Sequence, residues 1–237
     1  MAVHSFQIAI DGPVAAGKGT ISHLVAERLG FLYVDTGAMY RVTGLLADRA
    51  KVNIDDEMAL VALVEKADIQ MRNPNDTESD GRLTTVVVNG EDVSWAIRTE
   101  KMSDYSSKVA TYQQVRSVLV AKQQEIARSQ NVVMEGRDIT YRVLPEAQLK
   151  VYLTANEIVR AKRRQFQLQT RGMLAEFEEV YQELLERDKR DSQRETDPLT
   201  IVPEAWVIDS SDLSIDQVVD IIVGKARMMF DRFQTVG

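Results

Sequence analysis

Cysteine is absent from the 237-residue chain, which excludes disulfides, thiolate nucleophiles and cysteine-ligated metal centres. Histidine occurs only as His4 and His23, so neither a histidine-based catalytic triad nor an imidazole zinc site is expected. No apolar stretch is long enough to span a membrane, and the first residues lack the apolar core of a secretory signal. An excess of positive charge is missing too: 29 Lys and Arg stand against 36 Asp and Glu, a net charge of −7. That balance argues against a general nucleic-acid binder. Any anionic ligand must be met by locally gathered cations and not by the overall field. The remaining composition, 44% hydrophobic and 27% charged, suffices for one sizeable core with appendages. The expectation is a cytoplasmic, monomeric protein with neither membrane nor nucleic acid as a partner.

What is present begins with Gly12-Pro13-Val14-Ala15-Ala16-Gly17-Lys18-Gly19-Thr20. The apolar run Phe6–Ile10 precedes it, and a helical pattern follows, with Ile21, Leu24, Val25 and Leu29 on one face and Gly30 at its close. In the order strand, glycine loop, helix, the G-x-x-x-x-G-K spacing marks a phosphate-binding loop. Glycines let backbone N–H groups crowd around a polyphosphate, and the helix N-terminus adds its positive end. Lys18 then reaches the β- and γ-phosphates. A glycine-rich turn without a ligand is the competing view. The usual hydroxyl directly after the lysine is replaced by Gly19 and moves to Thr20. This G-K-G-T form resembles nucleoside monophosphate kinases more than GTPases or ATPase motors, whose first-position hydroxyl holds Mg²⁺.

Further along, short apolar runs alternate with helical patterns. Phe31–Val34 reads as a strand and Ala38–Ala50 as a helix; Val132–Met134, Leu149–Leu153 and Trp206–Ile208 read as three more strands. Such alternation implies a parallel sheet covered on both faces. Ligands of these sheets bind at the carboxyl ends of the strands, where Asp11, Asp35, Glu135–Asp138 and Asp209 stand. Two segments break the pattern. Turn-rich Asn73–Gly81, followed by Leu83–Asn89, Gly90 and Glu91–Ser94, reads as a β-hairpin within a small antiparallel insertion, roughly residues 68–95. Asn156–Arg194 is helical and highly charged, with Arg171-Gly172 as a break. It reads as a mobile flap over the phosphate site or as a solvated surface hairpin.

Three clusters bring charge towards the strand ends. Asp35-Thr36-Gly37-Ala38-Met39-Tyr40-Arg41 offers Thr36 as a helix cap and Arg41 as a cation, though a capped helix with an exposed arginine fits as well. Glu135-Gly136-Arg137-Asp138 suits phosphate and polar contacts, as do many ordinary strand exits. Arg187, Arg190, Asp191 and Arg194 lie at i, i+3, i+4 and i+7 and share one helix stripe. Pairing of Glu186 with Arg190, and of Arg187 with Asp191, would make that stripe a solvated face. Against this, Arg190 and Arg194 are like charges four residues apart, unfavourable without an anion between them. With Arg160, Arg163 and Arg164 on the preceding helix, two basic faces near a phosphate loop imply a polyphosphate clamp.

Nearly end to end, from Asp11-Gly12-Pro13 to Asp209-Ser210-Ser211-x-Leu213-Ser214-Ile215, the chain resembles the bacterial cytidylate kinase family. The most specific matches are Asp35–Arg41, Gly136–Asp138 and Glu186–Arg194; Thr196-Asp197-Pro198-Leu199 and the insertion agree, the latter distinguishing it from shorter adenylate-type kinases. The resemblance implies an α/β fold: a P-loop kinase core with a five-stranded parallel sheet flanked by helices, a helical lid and a small antiparallel β insertion. Residues 1–67 and 96–237 form the core, the lid being about 156–194, and 68–95 the insertion. It implies transfer from ATP, with Mg²⁺, to CMP or dCMP. Gly12 to Thr20 would hold ATP with Lys18 central, aided by Arg160, Arg163 and Arg164. Arg41, Arg137 and Arg187 would hold the acceptor phosphate, near Tyr40, Asp35 and Thr36. Asp191 would take the ribose hydroxyls, and Ser107, Arg116, Asp138 and Arg194 the cytosine. Lys18, Arg137 and Arg187 would be the catalytic cations, and no metal is assigned to protein ligands alone. The N4 amino group of cytosine suits a carboxylate acceptor, whereas uracil would confront Asp138 with another lone pair.

Two places depart from the family pattern. Thr140-Tyr141-Arg142 replaces the usual G-T-V before Leu144-Pro145, and Val14 replaces a small or hydroxyl residue in the loop. Rival readings are a P-loop kinase for another acceptor such as UMP, and a catalytically silent nucleotide-binding regulator. A GTP switch would need an N-K-x-D run, which the sequence lacks.

Overall fold

Short strands that are apolar on both faces must be covered on both sides, and here they are. The computed structural model describes residues 5–170 and 172–236. In chain order its elements are β1 (Gln7–Asp11), α1 (Lys18–Leu29), β2 (Leu32–Asp35), α2 (Thr36–Ala50) and α3 (Glu57–Lys66). Then come β3 (Ile69–Arg72), β4 (Thr85–Val88), β5 (Glu91–Asp92), α4 (Glu100–Val109), α5 (Gln113–Ser129) and β6 (Val132–Gly136). β7 (Leu149–Thr154), α6 (Glu157–Gln169), α7 (Phe177–Gln193), β8 (Trp206–Asp209) and α8 (Ile215–Val236) complete the order. The five expected strands form one parallel sheet in the order β2-β6-β1-β7-β8.

That sheet divides two apolar cores. Ile8, Ile10, Tyr33, Val133 and Val151 face α1 and α8. Ala9, Val34, Val132 and Met134 face the side on which α2, α3 and α5 pack. Because every strand runs the same way, Asp11, Asp35, Gly136, Thr154 and Asp209 finish at one edge, with Asp11 beside Gly136 and Asp35 beside Glu135. The site is built there.

The hairpin is real, but it belongs to a three-stranded antiparallel sheet, β3-β4-β5. Asn89 and Gly90 both take positive φ (51° and 84°), the turn that two-residue hairpins favour. Ile69, Met71, Val86 and Val88 join the core on the α2 side. Asn73 ties the insertion to the sheet edge: its side chain accepts from Tyr33 N at 3.0 Å and donates to Phe31 O at 2.9 Å. This occupies groups that an edge strand would otherwise leave open. The charged stretch is two packed helices, α6 and α7; Arg171, named as part of their break, lies outside the described residues, while Gly172 takes φ 76°.

One boundary differs from expectation. Helix α2 starts at Thr36, not Ala38, because Asp35 and not Thr36 is its cap: the Asp35 side chain accepts from Ala38 N. Thr36 Oγ1 instead donates to Glu135 O at 2.7 Å, crossing to β6.

Candidate active site

The loop from Gly12 to Thr20 joins β1 to α1 under tight constraints. A Cβ on Gly12 would lie 2.0 Å from the Leu153 carbonyl oxygen of β7, so only glycine passes there. Ala15 and Gly17 take φ of +56° and +92°, and left-handed residues in such a loop turn backbone N–H groups into an anion-binding concavity. The α1 N-terminus follows at Lys18. A Cβ on the glycine after the lysine, Gly19, would stand 3.3 Å from Glu135 Oε1 and 3.5 Å from the Tyr33 hydroxyl, a close contact that a small shift of the Glu135 carboxylate would relieve.

Lys18 is buried, and its Nζ donates to Pro13 O at 2.8 Å. Burial and the nearby Arg137 push its ammonium well below the ordinary lysine value, while Glu135, Asp191 and Asp11 hold it up. Burial and Asp35 push the Glu135 carboxyl upwards. Asp11, at the end of β1, is spent on the fold: it accepts from Ile139 N, Thr140 N and Thr140 Oγ1 at 2.7–2.9 Å.

Loop and strand ends open into a cleft of about 670 Å³. Lys18 and eight arginines line it, against the carboxylates of Asp35, Glu100, Glu135, Asp138 and Asp191. In a chain of net charge −7, this is the local gathering of cations that an anionic ligand requires. All eleven residues expected on the acceptor side line the cleft: Asp35, Thr36, Tyr40, Arg41, Ser107, Arg116, Arg137, Asp138, Arg187, Asp191 and Arg194. On the donor side Val14, Ala15, Gly17, Lys18, Gly19, Thr20, Arg163 and Arg164 line it, whereas Gly12, Pro13 and Ala16 lie buried beneath the loop.

Arg160 is a correction to the expected basic face. It does not line the cleft; its guanidinium donates to Ala155 O (2.9 Å), Val14 O (3.1 Å) and Asp188 Oδ2 (2.6 Å). Asp188 Oδ1 in turn accepts from Val14 N, so Arg160 clamps the loop to α7. Arg190 is likewise exposed and outside the cleft, so the stripe on α7 that faces the site is Arg187, Asp191 and Arg194. Asp191 pairs with Arg137 Nε across to β6 at 2.7 Å and not with Arg187.

That leaves Arg187 without an acceptor. Its Nε is sealed from solvent with no hydrogen-bond partner. Burial and Arg137 push its guanidinium down to about 10, with Arg41 and Arg164 adding to the repulsion and Asp191 opposing it. A buried, unpaired donor costs roughly 1–3 kcal/mol, a cost that an anionic ligand placed here would remove. Arg98, from the turn Ala96–Arg98 before α4, carries a second buried Nε without a partner and lines the same cleft. No motif pointed to Arg98; its only sequence signal was its place at the end of the insertion. Glu100, also unanticipated, meets Arg164 at 3.5 Å across from α6.

At the other end of the cleft Arg116, 1% exposed, pairs with Asp138 and lies over the Tyr40 ring, 5.5 Å from its centroid. Burial pushes the Asp138 carboxyl up to about 6, while Arg116 and Arg194 pull the other way. The departing segment after Asp138 forms a single π turn, Ile139–Val143, a geometry frequent at functional sites. Thr140 anchors it to Asp11, Tyr141 donates to Pro198 O at 2.5 Å, and Arg142 Nε lies 3.5 Å from Asp197.

With this geometry in view, the comparisons are decisive. The family model described as cytidylate kinase matches residues 8–228. This chain belongs to the cytidylate kinase family. A cytidylate kinase of Geobacillus sp. (strain WCH70) is 43% identical over 220 residues, 93% of this chain and 96% of that protein. That of Caldanaerobacter subterraneus subsp. tengcongensis is 44% identical over 214 residues, 90% and 91% of the two chains. The crystal structure of an uncharacterized protein from Eubacterium ventriosum, 9% identical, covers 94% of this chain and 99% of that one with a TM-score of 0.53, a likeness of fold alone. As in the family, the chain is a kinase with a parallel five-stranded sheet and a separate antiparallel one. No helix among the described residues is long and apolar enough to cross a membrane.

Proposed function

We propose that the protein transfers the γ-phosphoryl group of ATP to the phosphate of CMP or dCMP, releasing ADP with CDP or dCDP. The observation that carries this reading is the cation set around Arg187, whose Nε is sealed and unpartnered among the described residues, beside Arg137 and Arg41, in one cleft with the phosphate loop and the Arg116–Asp138 pair. Curated relatives named cytidylate kinase, 41–44% identical over about nine-tenths of the chain, support the acceptor.

In this reading the ATP phosphates rest on the loop Gly12–Thr20 with Lys18 among them, and Arg163 and Arg164 of α6 close over them. Mg²⁺ arrives bound to ATP as part of the substrate and neutralises charge on its phosphates. Thr20 and Asp35, both on the cleft wall, offer the hard oxygen donors that this ion selects. Arg41, Arg137 and Arg187 hold the acceptor phosphate, Asp191 takes ribose hydroxyls, and Ser107, Arg116, Asp138 and Arg194 read the base.

An oxygen of the acceptor phosphate forms the new bond to the γ-phosphorus. The bond to the β,γ-bridging oxygen breaks, and its electron pair leaves with ADP. The attacking oxygen is already anionic, so no general base is needed, and a loose transition state responds chiefly to positioning and charge neutralisation. A cavity rich in Arg and Lys without histidine suits that chemistry. Burial first and the nearby Arg137 second hold Lys18 and Arg187 below their ordinary values, and negative charge brought by phosphates offsets both.

We further read residues 68–95 as the insertion of the monophosphate-binding region and about 156–194 as a lid on the core. We also read the protein as acting as a monomer, and the nucleotide substrates support a cytoplasmic location. The protein with Mg·ATP and each nucleoside monophosphate in turn, followed by chromatography of the products, tests the reading. CDP and dCDP should dominate. Formation of ADP without any cytidine diphosphate would contradict it.

A further inference from the structure

The base end of the cleft is backed by the segment that follows α7. After α7 ends, residues 194–199 fold back: Arg194 N bonds Arg190 O at 3.1 Å and Leu199 N bonds Asp191 O at 2.8 Å. Asp197, at the middle of this strap, takes φ +47°, a left-handed conformation that Asp and Asn tolerate better than other side chains. Its groups are spent on arginines. One carboxylate oxygen accepts from Arg116 Nε at 2.8 Å, and the other lies 3.5 Å from Arg142 Nε. Its backbone carbonyl accepts from Arg194 Nε at 2.7 Å. The Tyr141 hydroxyl, donating to Pro198 O at 2.5 Å, fastens the strap to the π turn from the other side.

Arg116 is thereby held in three directions: Nε by Asp197, one terminal nitrogen by Ala110 O at 3.2 Å, and the other by Asp138. A planar guanidinium fixed at three points cannot swivel, so its remaining N–H edge is set, and the Asp138 carboxylate is set with it. Without Asp197 the fork would keep contacts on its terminal nitrogens only, and torsion about the Cδ–Nε bond would be resisted only by those two contacts and by packing against Tyr40.

We propose that Asp197 is a specificity-determining positioning residue, which fixes Arg116 and Arg194 so that the Arg116–Asp138 pair presents one donor–acceptor edge to the pyrimidine of the acceptor. The inference rests on the CMP-kinase reading above. Tyr141 and Arg142, the residues that depart from the family pattern, are the far side of the same fixture. They hold the strap that carries Asp197 and complete its charge pairing.

The test compares Asp197→Gly and Asp197→Asn, both compatible with the left-handed backbone, with wild type and Arg142→Ala. Steady-state constants for CMP and UMP at saturating Mg·ATP are measured, with the KM for ATP and thermal melting alongside. Losing a charge-assisted contact to a base-reading arginine should raise the KM for CMP about tenfold in Asp197→Gly, narrow the CMP-to-UMP ratio of kcat/KM, and leave kcat and the ATP KM close to wild type. Asp197→Asn keeps the acceptor for Arg116 Nε and should recover most of the CMP preference; Arg142→Ala should fall between it and wild type. A wild type that prefers CMP, with an unchanged CMP-to-UMP ratio in folded Asp197→Gly, overturns the inference and leaves the kinase reading standing. So does an equal fall in kcat for both acceptors. Should Asp197→Gly melt below the assay temperature, it is assayed at a lower temperature at which it is folded, and an unchanged ratio there is equally fatal. A wild type that does not use CMP overturns the kinase reading, and the inference with it.

Discussion

Lys18, Arg187 and Asp138 are each held away from their ordinary protonation, and the cause in each case is burial first and charged neighbours second. For Lys18 this separates function from stability. Its ammonium is disfavoured where it sits, so Lys18→Met should leave the melting temperature of the empty protein no lower than wild type. Losing a pre-organised charge aimed at the transferring phosphoryl group should cost on the order of 10²–10³ in kcat. Steady-state kinetics beside a thermal melt check both halves, and near-normal turnover in the folded variant would remove Lys18 from the chemistry. For Asp138 the prediction is a pH profile. Its folded value, about 6, lies above the usual carboxylate value, so the empty protein takes up this proton more readily than the unfolded chain does. Between roughly pH 4 and 6 the group therefore lowers stability as pH rises. Ligand reading runs the opposite way, since a carboxylate accepts from the cytosine amino group and a carboxylic acid can donate to uracil. The CMP-to-UMP ratio of kcat/KM should fall as pH drops through about 6, and Asp138→Asn should abolish that dependence. A ratio independent of pH in wild type would mean that Asp138 does not face the base.

Among the elements, those that carry strong local patterns were legible and those that depend on partners were not. The phosphate loop, the five strands and the charged helical pair followed from apolar runs, a glycine spacing and charge density. Strand β3 did not, because Ile69–Arg72 is four residues long and is recognised only by the strand it pairs with. Asp35 took the capping role expected of Thr36, since either can cap a helix and only the nearness of Glu135 O draws the Thr36 hydroxyl elsewhere. Arg160 read as one basic residue among three, and sequence alone could not show that Asp188 and the Val14 carbonyl had claimed it. Arg98 entered the site through folding back of a distant segment, which leaves no local trace, and Asp197, though part of the Thr196–Leu199 match, carried no sign that it would meet Arg116. At this scale the lid is the element to test. Arg187 sits on α7 among like charges, and Arg164 on α6 reaches Glu100 at 3.5 Å on the far side of the cleft. Phosphates supply the charge that these helices lack, so hydrogen exchange across residues 156–194 should slow when CMP and a non-hydrolysable ATP analogue are added together. The protection should exceed that of Leu83–Ser94. Unchanged exchange would make α6 and α7 a salt-bridged surface pair and nothing more.

On the scale of the whole molecule, the parallel sheet accounts for the position of the site. Two cores fix the strands from either side, and α8 is pinned to β1 and β2 through Phe6, Phe31 and Phe230, whose rings meet at centroid distances of 5.3–6.1 Å. With the strands fixed, their carboxyl ends bring the phosphate loop, Asp35 and the Glu135–Asp138 segment to one edge, and α2, the turn before α4, and α5 to α7 add arginines from outside. A chain of net negative charge thus holds a cationic cleft without relying on its overall field. The central claim is that this cleft phosphorylates cytidine monophosphates and selects them through the Arg116–Asp138 pair. The most direct measurement is kcat/KM for CMP, dCMP, UMP and AMP under one saturating Mg·ATP concentration. The account predicts that CMP and dCMP exceed UMP and AMP by at least about a hundredfold, well within what a hydrogen-bonding site can reject. Equal values for CMP and UMP would contradict it.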